Sequence, residues 1–402
     1  MDRIYTSLVK HHLADYRQMA FIAGPRQVGK TTCSKIIAAT SSVHAYLNWD
    51  HPAQRKLIIQ GADRVAEYCN LMSITKIKPI VVFDEIHKYR KWKLFLKGFF
   101  DVYEDRSHVI VTGSTKLDIY RRGGDSLMGR YFLYRMHPLS VAELLTTALR
   151  KKEIIAPQAI SRHQLNRLIT FGGFPEPYTK ADPHFSKNWQ RLRKQQLLKE
   201  DIRELSQVQD ISSLEFLMDI LIEESGCQLN VANIANHLNV AESTVHRWVK
   251  TLQSFYFCYS IKPWFKNIRR AIRKMPKIYL WDWSIITDQG RLNENFVASH
   301  LLKAVHYWTD TGLGDYDLYY LRDKEKREVD FFIIKNKKPW MLIEVKKSHH
   351  NGISKNLYYY QKELHVPYAF QVAIDMDYIP LDCFSYHKPI IVPAITFLSQ
   401  LV

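Results

Sequence analysis

The chain has 402 residues, which at about 100–200 residues per domain predicts two or three domains. Apolar residues make up 46% and charged residues 24%, a mixture that is typical of globular proteins and excludes a fibrous or disordered chain. The formal net charge of +17 favours a polyanionic partner, most commonly nucleic acid, over the alternative of a merely basic surface.

Cysteine usage and hydropathy bear on the compartment. The five cysteines include no C-x-x-C pair, so neither a disulfide framework nor a zinc site is predicted. No uncharged apolar run approaches about 18 residues, and the amino terminus lacks the pattern of a signal peptide. We therefore expect a cytoplasmic protein without a membrane partner.

The first 149 residues alternate between short apolar runs and helical stretches. Residues 1–18 are typical of a short amphipathic helix, and five apolar runs follow at 19–23, 45–47, 80–83, 109–112 and 131–136. This alternation predicts a parallel α/β sheet covered on both faces, because nearly continuous apolar runs are typical of strands buried on both sides. We place a first domain at 1–205, with its core at 19–149 and a helical extension at 150–205.

The remaining chain predicts two further domains. Helical patterns at 212–225, 231–238 and 242–253 precede aromatic strand sequence at 255–261, which is the outline of a winged helix at 206–277. Residues 278–402 predict an α/β domain with helices at 294–305 and 354–364, and strands at 316–321, 328–334, 339–345 and, finally, 368–374.

A nucleotide-binding loop is predicted directly after the first strand. The sequence Gly24-Pro25-Arg26-Gln27-Val28-Gly29-Lys30-Thr31 matches G-x-x-x-x-G-K-[ST] and leads into a helical stretch at Thr32. In such a loop, backbone N–H groups surround the phosphates and the helix amino terminus adds a favourable dipole. We predict that residues 24–32 bind ATP, that Lys30 reaches its β- and γ-phosphates, and that the Thr31 hydroxyl binds Mg²⁺.

Two carboxylates follow the strand at 80–83, at the carboxyl end where α/β sheets bind ligands. Asp84 is expected to hold Mg²⁺, directly or through water, and Glu85 to polarise the attacking water. The alternative, an ordinary Asp-Glu turn, is disfavoured because the same sheet carries the predicted phosphate-binding loop.

Two more polar residues are candidates for the same reaction. Ser114 follows the strand at 109–112, where a polar side chain would lie beside the γ-phosphate; the alternative is a loop serine. Arg130 is a candidate to supply positive charge to the transition state of a neighbouring subunit, which implies a homo-oligomer. The alternative for Arg130 is a surface ion pair.

Basic residues are concentrated behind the predicted winged helix. Sixteen residues without an acidic side chain contain Lys262, Lys266, Arg269, Arg270, Arg273, Lys274 and Lys277, with Trp264 and Phe265 between them. Together with His246, Arg247 and Lys250 on the third helix, they are expected to contact the phosphates of DNA. The alternative is a basic linker.

These motifs resemble those of an uncharacterised AAA-type ATPase family of bacteria and archaea. The similar segments are 24–32, 83–88, 112–114, 129–130, 137–143, 172–176, 276–279, 329–331 and 343–346, and they extend over nearly the whole chain. The resemblance implies an AAA-like core, a winged helix and a carboxy-terminal domain similar to PD-(D/E)xK (restriction-endonuclease-like) nucleases.

The nuclease-like signature falls on Glu294, Asp330, Glu344 and Lys346. Period two places Glu344 and Lys346 on one face of a strand; if the strands pair, Asp330 and Glu344 can share Mg²⁺ or Mn²⁺ while Lys346 positions the attacking water. Glu294 would complete the acidic shell. Val329 departs from the motif, which usually has proline there, and the alternative is an alternating charged face.

The sequence thus predicts a Mg²⁺-dependent ATPase coupled to a DNA-binding half, with metal-dependent DNA cleavage as a second activity. Two alternatives stay open. One is an ATP switch without nuclease activity. The other is a protein-remodelling ATPase whose winged helix docks a protein partner.

Overall fold

A computed structural model describes residues 1–72, 77–113, 127–202, 210–265, 275–350 and 352–402. The chain forms two compact units, one of residues 1–137 with 146–149 and one of residues 138–145 with 150–402. The predicted boundaries at 205/206 and 277/278 both lie inside the second unit and stay predictions. In the described part of the chain, no helix combines the length and the hydropathy that crossing a membrane requires.

The first unit is built on a five-stranded parallel sheet. Its strands are β1 (Met19–Ala23), β2 (His44–Asn48), β3 (Ile80–Asp84), β4 (His108–Gly113) and β5 (Tyr131–Arg135), in the order β2-β3-β4-β1-β5. Its helices are α1 (Ile4–Asp15), α2 (Lys30–Ala38), α3 (Pro52–Gln60), α4 (Ala62–Tyr68) and α5 (Trp92–Tyr103). All five strands lie where the apolar runs predict them, which confirms the parallel α/β fold.

Burial on both faces accounts for these strands. Every residue of β1 and β3 is buried, and the aromatic face of α5 packs against one side of the sheet. Phe95 and Phe99 each lie edge-on to Phe83, with ring centroids 5.5 and 5.3 Å apart. Each fully buried phenylalanine stabilises the fold by about 1.5–3 kcal/mol. This core fixes the carboxyl ends of β1 and β3, where the nucleotide-binding motifs follow.

The second unit begins with helices. They are α6 (Val141–Leu145), α7 (Arg162–Phe171), α8 (Pro175–Lys180), α9 (Pro183–Gln196), α10 (Ile211–Glu223), α11 (Val231–Leu238) and α12 (Glu242–Ser254). The last three match the predicted helical patterns to within two residues. Asn239 takes a left-handed conformation with φ 52° and ends α11, so that α12 begins after a short turn.

A seven-stranded mixed sheet completes this unit. It contains β6 (Cys258–Pro263), β7 (Lys277–Leu280), β8 (Tyr316–Arg322), β9 (Glu328–Lys335), β10 (Lys338–Lys346), β11 (Tyr368–Ala373) and β12 (Ile390–Pro393), in the order β12-β11-β10-β9-β8-β6-β7. Its helices are α13 (Gln289–Asp310), α14 (Lys355–Leu364) and α15 (Ala394–Ser399). The prediction that the strand near 368–374 is the last one is wrong, because β12 follows it and pairs with β11.

The strand expected in the wing also belongs to this sheet. β6 pairs antiparallel with β7, as a wing would, but its last two residues pair in parallel with Tyr319 and Tyr320 of β8. The helices before β6 and the strands after it therefore lie in one compact unit.

Candidate active site

The loop at 24–31 is shaped by one close approach and two left-handed residues. Gln27 and Gly29 have φ values of 62° and 105°. A side chain at Gly24 would place its Cβ only 2.3 Å from the carbonyl oxygen of Met136, which follows β5. Glycine is therefore the only residue that fits at position 24. The loop ends at Lys30, the first residue of α2, as a phosphate-binding loop requires.

The Lys30 ammonium is held inside this loop. Lys30 is 6% exposed, and its Nζ donates hydrogen bonds to the carbonyl oxygens of Gly24 at 2.8 Å and Pro25 at 2.7 Å. A phosphate oxygen is a stronger acceptor for an ammonium than a peptide carbonyl, because both partners are then charged. The lysine is thus placed to exchange carbonyl partners for phosphate.

Asp84 is buried at the end of β3 and accepts hydrogen bonds from three hydroxyl groups. Thr31 Oγ1 donates to its Oδ2 at 3.1 Å, the Tyr46 hydroxyl donates to the same oxygen, and Thr112 Oγ1 donates to Oδ1. Burial, followed by the hydrogen bond to Asp84, raises the pKa of Tyr46 and keeps that hydroxyl a donor. Thr31 and Asp84 are oxygen ligands of the kind that Mg²⁺ prefers, and their contact fits a Mg²⁺–nucleotide site.

Glu85 follows Asp84 in an uncommon backbone conformation. Its φ and ψ are 56° and 22°, a left-handed geometry that few residues other than glycine adopt. Its N–H donates to the carbonyl oxygen of Thr112 at 3.1 Å, which fixes it at the end of β4. The nearby ring of His87 places its Nε2 3.6 Å from Glu85 Oε2.

Arg130 lies at the amino-terminal ends of the strands, opposite the loop at 24–31. It immediately precedes β5, and its carbonyl accepts from the N–H of Met19 at the start of β1, whereas the loop at 24–31 follows the end of β1. The five residues of β1 separate these two ends of the sheet by about 15 Å. Arg130 forms a bidentate ion pair with Asp101 at 2.6 and 3.0 Å, which was the alternative interpretation from sequence. Ser114, the second candidate, lies outside the described residues.

Three residues that sequence reasoning did not select join this site. Tyr46 and Thr112 lie on the strands that flank β3 and donate to Asp84. Arg3, which is 3% exposed, donates to the carbonyl oxygens of Val28 in the loop and of His137. The alternation of β2 could have indicated Tyr46, but no sequence pattern connects Arg3 with a loop more than twenty residues away.

The second unit brings together the predicted carboxylates. Lys346 Nζ lies 2.8 Å from Glu344 Oε1, and Asp330 Oδ2 accepts from the N–H of Val345 at 2.8 Å. The pKa values of Asp330 and Glu344 are raised to about 7, first by burial and then by the neighbouring charge of Glu294 on Asp330 and of Asp330 on Glu344. Within the described part of the chain, Glu344 Oε2 is buried and has no hydrogen-bond partner.

Lys277 forms the cationic centre of the same cluster. Its Nζ lies 2.7 Å from Glu328, 3.1 Å from Glu294 and 3.9 Å from Asp330, while the Tyr279 hydroxyl donates to Glu294 at 2.7 Å. The prediction that Lys277 contacts DNA is wrong, because it is 4% exposed and bound by carboxylates. Among the described residues, no three His, Cys, Asp or Glu side chains have the arrangement of a metal site.

The predicted nucleic-acid surface is described in part. His246, Arg247 and Lys250 are exposed on α12, and Lys262 is exposed on β6. The other basic residues of that run, Lys266, Arg269, Arg270, Arg273 and Lys274, lie outside the described residues.

Residues 16–145 match a protein-family model described as an AAA domain. This stretch, hereafter termed the AAA domain because of this match, is similar to that family. Residues 162–295 and 289–382 match two domains of unknown function. With the parallel sheet of the first unit, the AAA match confirms the resemblance to an uncharacterised AAA-type ATPase family. A P-loop fold of this kind binds a nucleotide with a divalent cation.

Proteins similar to this chain match it over most of its length. An uncharacterized protein of Mycobacterium tuberculosis is 22% identical over 346 residues, which are 84% of this chain and 72% of that protein. An uncharacterized protein of Methanocaldococcus jannaschii is 23% identical over 71% of this chain and 68% of its own length. Among solved structures, AMPPCP-bound DnaA from Aquifex aeolicus aligns with 62% of this chain and 87% of its own, at 14% identity and a TM-score of 0.33.

Proposed function

We propose that the AAA domain hydrolyses ATP with Mg²⁺. The contact between Thr31 and Asp84, directly beside the buried Lys30 ammonium, is the observation that carries this proposal. Thr31 and Asp84 would hold the cation, and Lys30 would bind the phosphates. Mg²⁺ supplies charge neutralisation on the phosphate oxygens when it is bound.

In the same proposal, Glu85 is the base that polarises the attacking water, because it directly follows Asp84 at the carboxyl end of β3. The residues at 24–29 and Thr32 would enclose the phosphates with backbone N–H groups. Ser114 stays a predicted sensor. Arg130 lies at the end of the strands opposite to the ATP loop of its own chain. It is therefore proposed to act only on a neighbouring subunit of a homo-oligomer.

Two variants test the ATPase. Lys30→Ala should abolish tight nucleotide binding, whereas Glu85→Gln should bind ATP as the wild type does and fail to hydrolyse it. Lys35→Ala, on the same helix as Lys30, is the matched control and should keep both properties. ATP hydrolysis by Glu85→Gln at the wild-type rate would contradict the assignment of the base.

Nucleic-acid binding is the proposed role of the second unit. The observation that favours it is the row of His246, Arg247 and Lys250, which are exposed on the third of three helices with a tight turn before it. ATP hydrolysis measured with and without duplex DNA tests the coupling. Hydrolysis that is indifferent to DNA would instead favour a protein partner on this helix.

Metal-dependent DNA cleavage at Asp330 and Glu344 is a second candidate activity. The buried, unpartnered Glu344 Oε2 beside another carboxylate favours a bound cation there. Nicking of plasmid DNA with Mn²⁺ by the wild type but not by Asp330→Ala would support it. Intact plasmid in both would leave an ATP switch without nuclease activity.

A further inference from the structure

His87 is a histidine of the AAA domain whose ring is buried. It lies two residues after Glu85, within a single turn of 3-10 helix at Ile86–Lys88. Its side chain is 8% exposed, and within the described part of the chain neither ring nitrogen has a hydrogen-bond partner. A buried polar group left unpaired costs about 1–3 kcal/mol. Such a group therefore calls for an explanation.

Two other buried histidines, His12 and His300, show how a structural imidazole is held in this chain. His12 places Nδ1 2.8 Å from the Tyr134 hydroxyl and Nε2 2.7 Å from the carbonyl oxygen of Gln18. His300 places Nδ1 2.7 Å from the Phe296 carbonyl and accepts from the Val141 N–H at 3.1 Å. In both, two partners fix the ring. His87 differs from them, so packing alone does not account for it.

The carboxylate of the proposed base lies close to the His87 ring. Nε2 and Glu85 Oε2 are 3.6 Å apart, about 0.6 Å longer than an ordinary N–H···O hydrogen bond. Burial, together with the charges of Lys88 and Lys30, lowers the pKa of His87 to about 3. The ring is therefore neutral and carries a single N–H, which can be donated without adding a positive charge beside Lys30.

The backbone places Glu85 and His87 on the same turn. The left-handed conformation of Glu85 is held by the hydrogen bond of its N–H to the carbonyl oxygen of Thr112. A donor of fixed position two residues later on this turn would orient one carboxylate oxygen at small entropic cost.

We propose that His87 is a positioning residue for Glu85, whose N–H closes onto the carboxylate when nucleotide is bound and aims the other carboxylate oxygen at the attacking water. This inference rests on the proposed ATPase function. His87 touches neither the water nor the phosphates in this assignment. Its loss should therefore change turnover and leave nucleotide binding almost intact.

The test compares His87→Phe and His87→Gln in the full-length chain, with ATP turnover and nucleotide affinity measured separately. Phenylalanine keeps the ring volume and removes the donor, so kcat should fall on the order of 10²-fold while the nucleotide Kd changes less than about twofold. Glutamine restores an N–H donor and should recover part of kcat. His44→Phe, an exposed histidine on β2, is the matched control and should turn over as the wild type does.

Each outcome decides the inference. Wild-type kcat in His87→Phe would overturn it, as would a rise in Kd with unchanged kcat, which would make His87 a nucleotide contact. If His87→Phe fails to fold by circular dichroism, His87→Gln decides alone, and a folded glutamine variant with less activity than 1% of wild type overturns it. The two proposals can fail separately. If the wild type is active, Glu85→Gln is inactive and His87→Phe is fully active, the ATPase proposal holds and the inference about His87 is false.

Discussion

Asp330 and Glu344 lie on the adjacent strands β9 and β10, and both have raised pKa values of about 7. In the unfolded chain each carboxyl titrates near its ordinary value of about 4. Between these values the folded protein binds more protons than the unfolded one. The free energy of unfolding should therefore fall as the pH rises from about 4 to about 7.

Urea denaturation at several pH values measures this dependence. Glu344→Gln should flatten the profile, because it removes one of the two titrating groups and the repulsion that acts on the other. Asp317→Asn, on the neighbouring strand β8, is the control and should leave the slope unchanged. A bound divalent cation would act in the same direction as protons, so Mn²⁺ at pH 7.5 should stabilise the wild type more than Glu344→Gln.

Lys277 neutralises its carboxylates from a buried position, and its removal should be destabilising. Lys277→Met keeps the side-chain length and leaves Glu294 and Glu328 without their shared cation. We expect a loss of up to about 3 kcal/mol in the free energy of unfolding, the low end for a broken buried pair, because both carboxylates are partly exposed. Lys262→Met, which is exposed on the adjacent strand, should change stability by less than about 0.5 kcal/mol.

The short helix α6 is anchored to α13 by a fully buried ion pair. Lys303 Nζ contacts Glu143 and also donates to Ser140 Oγ at 2.9 Å and to the Pro138 carbonyl at 3.2 Å. Lys303→Met should cost about 3–5 kcal/mol, because the buried Glu143 carboxylate would lose its cation. The double variant with Glu143→Leu should recover most of that loss in urea denaturation. Equal destabilisation of the single and double variants would contradict this account.

Elements whose pattern is local were predictable from the sequence, and those defined by distant partners were not. The five strands of the AAA domain were predictable because burial on both faces leaves continuous apolar runs. β7 and β12 have only four residues each, too few for the sequence to distinguish a strand from another short apolar stretch, and they pair with β6 and β11 at the two edges of the sheet. Lys277 is a further residue whose surroundings could not be predicted from its local sequence. Its position in a basic run predicted a contact with DNA, whereas the fold places three carboxylates around it.

The candidate site divides in the same way. Lys30, Thr31, Asp84 and Glu85 follow strands in recognisable motifs, so their proximity was predictable from the topology of a parallel sheet. Arg3 and Tyr46 were not, because their hydrogen bonds depend on how α1 and β2 pack. The unsatisfied ring of His87 is visible only in three dimensions, although the residue itself lies in a motif.

The net charge of +17 predicts that binding of nucleic acid weakens steeply as salt is raised. Arg247→Glu with Lys250→Glu on α12 should weaken binding to all DNA sequences alike and reduce the slope of log K against log salt by about 0.9 for each lost phosphate contact. Lys187→Glu with Arg191→Glu, exposed on α9, changes the net charge equally and is the control. Equal losses in both double variants would mean that total charge, and not α12, determines binding.

The helix α1 and Arg3, the residue before it, contact the loop at 24–31 and the strand β5 with the residues that follow it. Arg3 holds the carbonyl oxygen of Val28, the Tyr5 hydroxyl accepts from the His137 N–H at 3.1 Å, and His12 lies 2.8 Å from Tyr134 on β5. The AAA-domain match begins only at residue 16. A recombinant fragment limited to residues 16–145 would lack Arg3, whose buried guanidinium donates to the Val28 carbonyl oxygen in the loop at 24–31. Its affinity for ATP would then understate that of the intact chain, so a fragment for nucleotide-binding measurements should begin at Met1.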